Sequence, residues 1–433
     1  MFGPNGLVLR HVAAGLPHEP HRRAIHRLAA TGFQETIVHS THPPQARPEP
    51  IAFPEQWVPA ASRQFGHSSG CVRGVSNDVA HCAGVHSSPI NDGLGVAEPM
   101  ADHCLTRVSC FGSLPTMTKA RPLRIGISRC LLGDQVRYDG GHKRDPYLAD
   151  VLSQHVEWVP VCPEVEVGLG TPRESIRLWG SAESPRLVTI ITRVDHTSAM
   201  IRFSERRVSE LEALDLSGYV FKEGSPSCGV NGVRVYPRHG RSTRTGIGLF
   251  ARVFMKHFPL MPVQEEGRLH DPATREHFFE RVCSYRRWQD LVTNNGTRKA
   301  VRDFHAQHTY LLLAHSPTHY ESLDRLVRNA MRHTSADLLR RYGTHFMKAL
   351  EVPATGSQHI TVLHRIRAHF ENRLTSLEKQ ELLRTIEAYR RGRTPLLVPL
   401  TLLKHHVRVF DIPHLQNQTY LNPNPQELML RNL

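Results

Sequence analysis

Short apolar runs separated by polar segments mark residues 123–260 as a region of alternating strands and helices. Four of these runs have the length and composition of buried β-strands. The predicted strands cover residues 123–128, 156–161, 186–192 and 218–221. A helical period follows the third run, because apolar side chains recur every three or four residues from Thr197 to Leu214. A second helix is predicted from Leu249 to Phe258, and Pro259 ends it.

Strands that alternate with helices predict an α/β domain built on a parallel or mixed sheet. The pattern then changes, because apolar residues keep to helical spacing through most of residues 272–433. The predicted helices cover residues 304–313, 321–331, 338–350, 361–370 and 376–390. The expected fold class is therefore an α/β strand–helix alternating sheet domain followed by an all-α domain. We place the α/β domain at residues 117–260, a linker with a helix at 261–289 and the helical domain at 290–433.

Residues 1–116 show no sustained helical or strand period and are rich in His, Pro, Ser and Gly. They contain 8 Arg, no Lys and 8 Asp plus Glu, so they carry no net charge. We expect a poorly structured, disordered extension, and we interpret Met117, which leads into a buried strand, as the true start. The alternative is a small metal-binding domain, although its cysteines do not form paired CxxC motifs. These cysteines are Cys71, Cys82, Cys104 and Cys110.

The chain of 433 residues has a formal net charge of +14, and all of the excess lies after residue 116. A strongly basic folded region favours a polyanionic partner, of which nucleic acid is the commonest. The sequence contains no apolar run near the roughly 18 residues that span a bilayer, and no secretory signal pattern. We therefore expect a cytoplasmic protein whose eight cysteines are reduced thiols, metal ligands or catalytic groups.

Three of the cysteines, Cys130, Cys162 and Cys228, each follow a predicted strand. In an open α/β sheet the loops at the carboxyl ends of the strands meet at one edge, so these thiols can converge. Three thiolates suit an iron–sulfur cluster with one open iron, or zinc with an open coordination position. A third interpretation is that all three are buried structural cysteines, since free cysteine is a common core residue. Spacing alone leaves the three interpretations open.

Longer motifs around these cysteines carry a family resemblance. The segments SRCLLG, VRYDGGHKR, PVCPEVEVGLGTPRE and FKEGSPSCG resemble the thiouracil desulfurase family over about residues 123–260. The segments FHAQHTYLLLAHSPTHY, FMKALEVPAT, YRRGRTPLLVPLTLLKHH and YLNPNPQELMLRNL resemble the YbgA-like domain that is often fused behind that enzyme. The combination is similar to the bacterial tRNA 4-thiouridine desulfidases, over about residues 121–433 but not residues 1–116.

The resemblance implies that Cys130, Cys162 and Cys228 hold a [4Fe–4S] cluster with three cysteine ligands and one open iron, where the substrate sulfur binds. The implied reaction is a non-redox desulfuration of 4-thiouridine in tRNA, which takes up water, yields uridine and releases sulfide. Two other functions remain open. One is a desulfidase that acts on free 2-thiouracil or other thiobases, and the other is a non-catalytic, cluster-bearing RNA-binding or sensor protein.

Candidate catalytic residues lie beside the cysteines. Glu164 is two residues after Cys162 and is the expected proton-transfer group, although it could instead cap a helix or pair with Arg173. Ser225 and Ser227 lie just before Cys228 and could bind substrate or relay a proton, with Ser227 preferred because it adjoins Cys228. For Ser225 a cap or turn role is the alternative. Lys222 is either an assisting cation or a surface charge.

A second set of residues is predicted to contact the substrate or the RNA. Residues 290–433 contain 20 Lys plus Arg against 12 Asp plus Glu, and this excess fits contact with phosphates. Solvated surface charge is the alternative for every member of the set. The candidates are Arg137, Asp139, His142, Lys143, Arg173 and Lys222 near the cysteines, and Arg390, Arg391 and Arg393 in the helical domain.

Overall fold

A four-stranded parallel sheet forms the centre of the α/β domain. In the computed structural model, which describes residues 122–294, 296–423, 427, 429 and 430, this sheet has the order β2-β1-β5-β8. Ile127 of β1 lies opposite Pro160 of β2 and Val220 of β5, in parallel register. The prediction of β1, β2 and β5 is confirmed. The strands are β1 (Arg124–Ser128), β2 (Glu157–Val161), β5 (Gly218–Phe221) and β8 (Val263–Glu265).

A second, mixed sheet has the order β4-β3-β6-β7. The sequence pattern predicted only one of its strands, and it extended that strand to residue 192 although β4 ends at Thr189. Two of the other three strands lack a clear apolar period, because only Leu178 is buried in β3 and β7 is exposed except for Gly246. β6 does alternate, with Val233 and Val235 buried, but it has only four residues and was not predicted. The strands are β3 (Ile176–Gly180), β4 (Pro185–Thr189), β6 (Val233–Tyr236) and β7 (Thr243–Gly246).

Aromatic packing joins the parallel sheet to the helices α2 (Thr197–Glu212) and α3 (Leu249–His257), both of which were predicted. The Tyr219 and Phe221 rings stack with centroids 4.0 Å apart, and Phe254 meets Phe221 edge-on at 5.4 Å. Gly126 lies under this cluster, and a Cβ there would come within 2.1 Å of the Tyr219 ring. Only glycine therefore lets β1 approach the aromatic layer.

The region from Pro272 onward is helical, as predicted, and the last predicted helix coincides with α10. The helix predicted at residues 304–313 is in fact two helices, which meet at His308. Thr355 and Thr375 begin α9 and α10 with capping boxes that satisfy the first backbone N–H groups. The helices are α4 (Pro272–Thr293), α5 (Arg298–Gln307), α6 (Thr309–His315), α7 (Pro317–Arg328), α8 (Ser335–Glu351), α9 (Gly356–Ala368), α10 (Ser376–Arg390), α11 (Leu397–Val409) and α12 (Pro413–Gln416).

Helix α4 belongs to both domains, although it covers most of the segment expected to be a linker. Phe278 and Val282 pack in one apolar cluster with Ile125 of β1. At the other end of the helix, Trp288 stacks on Tyr342 of α8 with ring centroids 5.3 Å apart. The shared helix therefore couples the sheet domain to the helical domain.

Among the described helices, none combines the length and hydropathy that crossing a membrane requires. The predictions for residues 1–116, including the extension, the start at Met117 and the alternative metal-binding domain, lie outside the described residues.

Leu430 is expected to stabilise the α/β domain although it is far from that domain in sequence. Its side chain is fully buried in the cluster that contains Ile125 and Phe278. Leu430→Ala should therefore lower the free energy of unfolding by about 2–5 kcal/mol, measured by urea denaturation. Met429→Ala is the control, because Met429 is exposed and its loss should change stability by less than about 0.5 kcal/mol. Equal effects of the two substitutions would contradict this packing.

Candidate active site

The three predicted cysteines lie at the carboxyl ends of three adjacent parallel strands. Cys130 is in the 3-10 turn that follows β1, Cys162 directly follows β2, and Cys228 is in the loop after β5. Because β1 lies between β2 and β5, these loops meet at one edge of the sheet. All three cysteines line one cavity of about 240 Å³. The predicted convergence is confirmed.

Burial makes ionisation of these cysteine thiols unfavourable. Burial, together with a smaller contribution from the neighbouring Cys162, raises the pKa of the Cys130 thiol to about 12. The pKa values of the Cys162 and Cys228 thiols are also raised, mainly by burial. Three thiolates this close to one another need a positive centre to hold them, because thiolates are metal ligands and like charges repel. The donor set therefore fits a metal group better than three free thiolates.

The cavity leaves room for a group of several atoms. Its volume is about 240 Å³, and all three cysteines line it. Three cysteine thiolates around such a space are a donor set that fits an iron–sulfur cluster with one open iron.

Glu164 and two serines form a hydrogen-bonded group beside the cysteines. Ser227 Oγ donates to Glu164 Oε1 at 2.6 Å, and Ser225 Oγ lies 3.0 Å from Ser227 Oγ. The Cys228 backbone N–H donates to Ser225 Oγ at 3.1 Å, so Ser225 also shapes the loop that carries Cys228. All of these residues line the cavity, and Ser227 is fully buried. The structure thus brings together the three predicted catalytic residues.

Glu164 is held from its other side by Arg173. The two side chains form a salt bridge and are 14% and 6% exposed, so the pair is shielded from water. Arg173 is fixed in turn, because Nη1 donates to the Val136 carbonyl at 3.0 Å and to the Gly170 carbonyl at 2.9 Å. The alternative role for Glu164, pairing with Arg173, is therefore observed. It does not exclude proton transfer, since Oε2 faces Arg173 while Oε1 accepts from Ser227.

The polar loop after Cys130 contributes two side chains to the cavity. Arg137 and Tyr138 line it, and the Arg137 guanidinium carbon lies 5.3 Å from the centre of the Tyr138 ring. Asp139, His142 and Lys143 do not line the cavity. Asp139 accepts from Gly141 N, His142 Nδ1 accepts from Arg144 N, and the Lys143 N–H donates to the Cys130 carbonyl. These three residues shape the loop, and their contact with RNA stays a prediction.

The arginines predicted at the end of α10 are partly neutralised. Arg390 and Arg391 both donate to Glu387, at 2.6 Å each. These hydrogen bonds, with a smaller contribution from the two positive charges, lower the pKa of Glu387 to about 2. Arg393 follows Gly392, whose φ of +67° turns the chain at the helix end. The role of these three arginines in RNA binding stays a prediction.

Two acidic residues at the end of β8, neither of which was predicted from the sequence, support the site. Glu266 forms a salt bridge with Lys222 and accepts from the Glu223 backbone N–H at 2.7 Å. Glu265 Oε1 accepts from Val230 N at 2.9 Å, just after Cys228. Ser128, at the end of β1, accepts from Lys222 N at 2.9 Å. Lys222 is thus a cavity-lining cation in a fixed position rather than a free surface charge.

The position of each group after a strand was the signal that sequence reasoning could have used. Ser128 ends β1 and Glu266 directly follows β8, so the carboxyl edge rule applies to both. Ser128 was predictable, because it begins the SRCLLG motif and ends a predicted strand. Glu266 was not predictable, because the strand that it follows, β8, has only three residues and no apolar alternation.

The comparisons with known proteins agree with this geometry. Residues 125–266 match the 2-thiouracil desulfurase family, and residues 309–425 match a family described as a protein of unknown function, DUF1722. The resemblance to a thiouracil desulfurase domain followed by a YbgA-like domain is confirmed.

Individual relatives match separate parts of the chain. The uncharacterized protein YbgA of Escherichia coli K12 is 31% identical over 153 residues, which cover 35% of this chain and 90% of YbgA. The uncharacterized protein YbbK of Bacillus subtilis 168 is 27% identical over 108 residues, or 24% of this chain and 71% of YbbK. Among solved structures, the [4Fe-4S]-dependent thiouracil desulfidase TudS is 33% identical and covers 34% of this chain and 94% of its own, with a TM-score of 0.29.

Proposed function

Because this chain belongs to the YbgA family and carries a 2-thiouracil desulfurase domain, we propose that it is a desulfidase that replaces the sulfur of a thiolated uracil with oxygen. The finer proposal is that the substrate is 4-thiouridine in tRNA, which becomes uridine with release of sulfide. The observation that carries the reaction is a single cavity in which three cysteines face the hydrogen-bonded Glu164 and Ser227.

Cys130, Cys162 and Cys228 are the residues that would hold a [4Fe–4S] cluster, and their number leaves one iron without a protein ligand. When bound, the cluster supplies a Lewis acid that accepts sulfur. Arg137 and Lys222 line the same cavity and offset part of the negative charge that three thiolates bring.

The residues around the cysteines account for the proton transfers. Water adds to the thiocarbonyl carbon, and its proton passes to Glu164 Oε1, directly or through Ser227 Oγ. The carbon–sulfur bond then breaks while Glu164 returns this proton to the departing sulfur, which leaves as HS⁻. The second water proton passes from the new hydroxyl group to Glu164 and then to solvent, so that a carbonyl remains. No electrons are transferred overall. Arg173 keeps the carboxylate of Glu164 in place while the hydroxyl of Ser227 moves the proton.

The charge of the helical domain supports tRNA as the carrier of the thiolated base. Residues 290–433 have an excess of eight basic residues, counting 20 Lys plus Arg against 12 Asp plus Glu. Basic helical surfaces recognise RNA largely through its phosphates and its shape. Because Arg390 and Arg391 are already paired with Glu387, we expect the rest of this excess to contribute most of the binding.

The test is anaerobic reconstitution with iron and sulfide, followed by incubation with bulk bacterial tRNA and nucleoside mass spectrometry. We expect 4-thiouridine to fall and uridine and free sulfide to rise together. Free 2-thiouracil is assayed in parallel, since rapid conversion of the free base with no change in tRNA would contradict the tRNA assignment. Persistence of both thiolated substrates in a preparation with an intact cluster would contradict the desulfidase itself and leave a binding or sensing role.

A further inference from the structure

An exposed apolar loop is hydrogen-bonded to a residue that lines the active-site cavity. Residues 190–194 form most of the connection from β4 to α2, and three of the five side chains are apolar: Ile190, Ile191 and Val194, which are 41%, 82% and 49% exposed. We call residues 190–194 the apolar tip. Large apolar side chains that cluster on a surface generally mark a contact site, since their exposure to water is unfavourable.

The apolar tip is attached to the wall of the cavity. The Ile190 N–H donates to the Ser175 carbonyl at 2.9 Å, and Ser175 itself lines the cavity. Glu174 Oε1 accepts from the Ile191 and Thr192 backbone N–H groups. Arg173, which precedes Glu174 in the chain, pairs with Glu164. One short segment, residues 173–175, therefore carries the Glu164 partner, the anchor of the tip and part of the cavity wall.

The apolar tip is also held in one conformation. Thr192 Oγ1 donates to Glu174 Oε2 at 2.6 Å and lies 2.7 Å from Thr189 Oγ1. Val194 N donates to Thr189 Oγ1 at 2.8 Å, and the Thr189 N–H donates to the Val194 carbonyl at 3.0 Å. A loop that is ordered before it meets a partner loses little conformational entropy on binding. Its contacts hold the backbone and leave the Ile191 side chain in solvent.

We propose that Ile191 of the apolar tip is a specificity-determining residue that packs against the bases next to the thiolated uridine when this base enters the cavity from an RNA strand. This inference rests on the proposed function. A base in a polynucleotide has to leave its stack to reach a buried site, and apolar side chains often occupy the space between unstacked bases. Arg193 on the same tip places a cation beside Ile191, which suits the phosphates of that strand.

A free thiobase has no neighbouring bases, so it cannot use this contact. The experiment therefore compares two substrates, 4-thiouridine-containing tRNA and free 4-thiouracil, with reconstituted parent and Ile191→Ser proteins. We expect the ratio of kcat/KM for the tRNA to kcat/KM for the free base to fall about tenfold, because one largely exposed isoleucine becomes buried in the complex. Fluorescence anisotropy with labelled tRNA should show weaker binding of the variant, independently of turnover.

Val151→Ser is the matched control, because Val151 is a 36% exposed β-branched side chain of the α/β domain, lies outside the helical domain proposed to bind tRNA and does not line the cavity. The control should leave both the ratio and tRNA binding as in the parent. An Ile191→Ser protein with the parental ratio on tRNA would overturn the inference and leave the proposed function intact. A parent that converts the free base but neither binds nor converts tRNA would instead overturn the tRNA assignment and the inference with it. If the Ile191→Ser protein kept the parental ratio of kcat/KM values but changed its oligomeric state, the apolar tip would be a contact between copies of the chain, and the inference would be wrong.

Discussion

Replacing any one of Cys130, Cys162 and Cys228 by serine is expected to abolish desulfuration and to remove the cluster. The serine hydroxyl is nearly isosteric with the thiol but does not ionise in a buried site, so it cannot replace a thiolate ligand. Loss of a Lewis acid costs several kcal/mol of transition-state stabilisation, and each 1.36 kcal/mol is a factor of ten. Turnover should therefore fall by at least about 100-fold, with iron and sulfide content falling in parallel.

The control for this prediction is Cys283→Ala. Cys283 is also buried, but it lies on α4 in the apolar cluster below the sheet and does not line the cavity. We expect this variant to keep its iron and its activity, with only a modest loss of stability. A Cys130→Ser, Cys162→Ser or Cys228→Ser protein that retains full iron and full turnover would remove that cysteine from the ligand set. Zinc in place of iron in the active parent would contradict the cluster altogether.

The convergence of the cysteines was predictable because it depends on a simple rule about strands. β1, β2 and β5 are short apolar runs, and the loops at the carboxyl ends of parallel strands meet at one edge. The role of Glu164 was harder to predict from the sequence, since its salt bridge with Arg173 depends on tertiary structure. Sequence alone could name the pairing and the catalytic role as alternatives, whereas the structure shows that one carboxylate can serve both.

The ion pairs of the arginines near the end of α10 were predictable from local spacing in the sequence. Glu387 precedes Arg390 and Arg391 by three and four residues, which is the spacing of ion pairs along a helix. Both arginines were predicted to bind RNA because the net charge of the region is positive. However, the Glu387 carboxylate lies on the same helical face and pairs with both of them.

The apolar tip illustrates the opposite case, in which a local rule failed. Ile190 and Ile191 are β-branched and apolar, so the pattern extended the strand to residue 192. The backbone pairing ends near Ile190, because the Glu174 side chain takes the Ile191 and Thr192 backbone donors that a strand partner would use. Places where sequence rules fail in this way are often functional, which is consistent with the role proposed for Ile191.

Glu164→Gln should lower kcat by about 10²- to 10⁴-fold while iron content and tRNA binding remain at the parental level. The glutamine keeps the size of the side chain and one oxygen that accepts from Ser227 or Arg173, but its amide cannot take up a proton. Stopped assays with reconstituted protein measure kcat, and iron analysis and fluorescence anisotropy with labelled tRNA measure the two properties that should not change.

Glu166→Gln separates the chemistry of Glu164 from a general effect of losing an ion-paired carboxylate beside Cys162. Glu166 lies on the same short helix, α1 (Pro163–Glu166), and pairs with Arg207 at 3.1 Å, yet it does not line the cavity. Its Oε1 accepts from the Cys162 N–H at 2.8 Å, a hydrogen bond that the glutamine oxygen can retain. We expect kcat within about threefold of the parent, since substitutions away from the reacting groups seldom change the free energy by more than a fraction of a kcal/mol. Equal losses in the two variants would make Glu164 a structural partner of Arg173, whereas a loss confined to Glu164→Gln assigns proton transfer to that carboxylate.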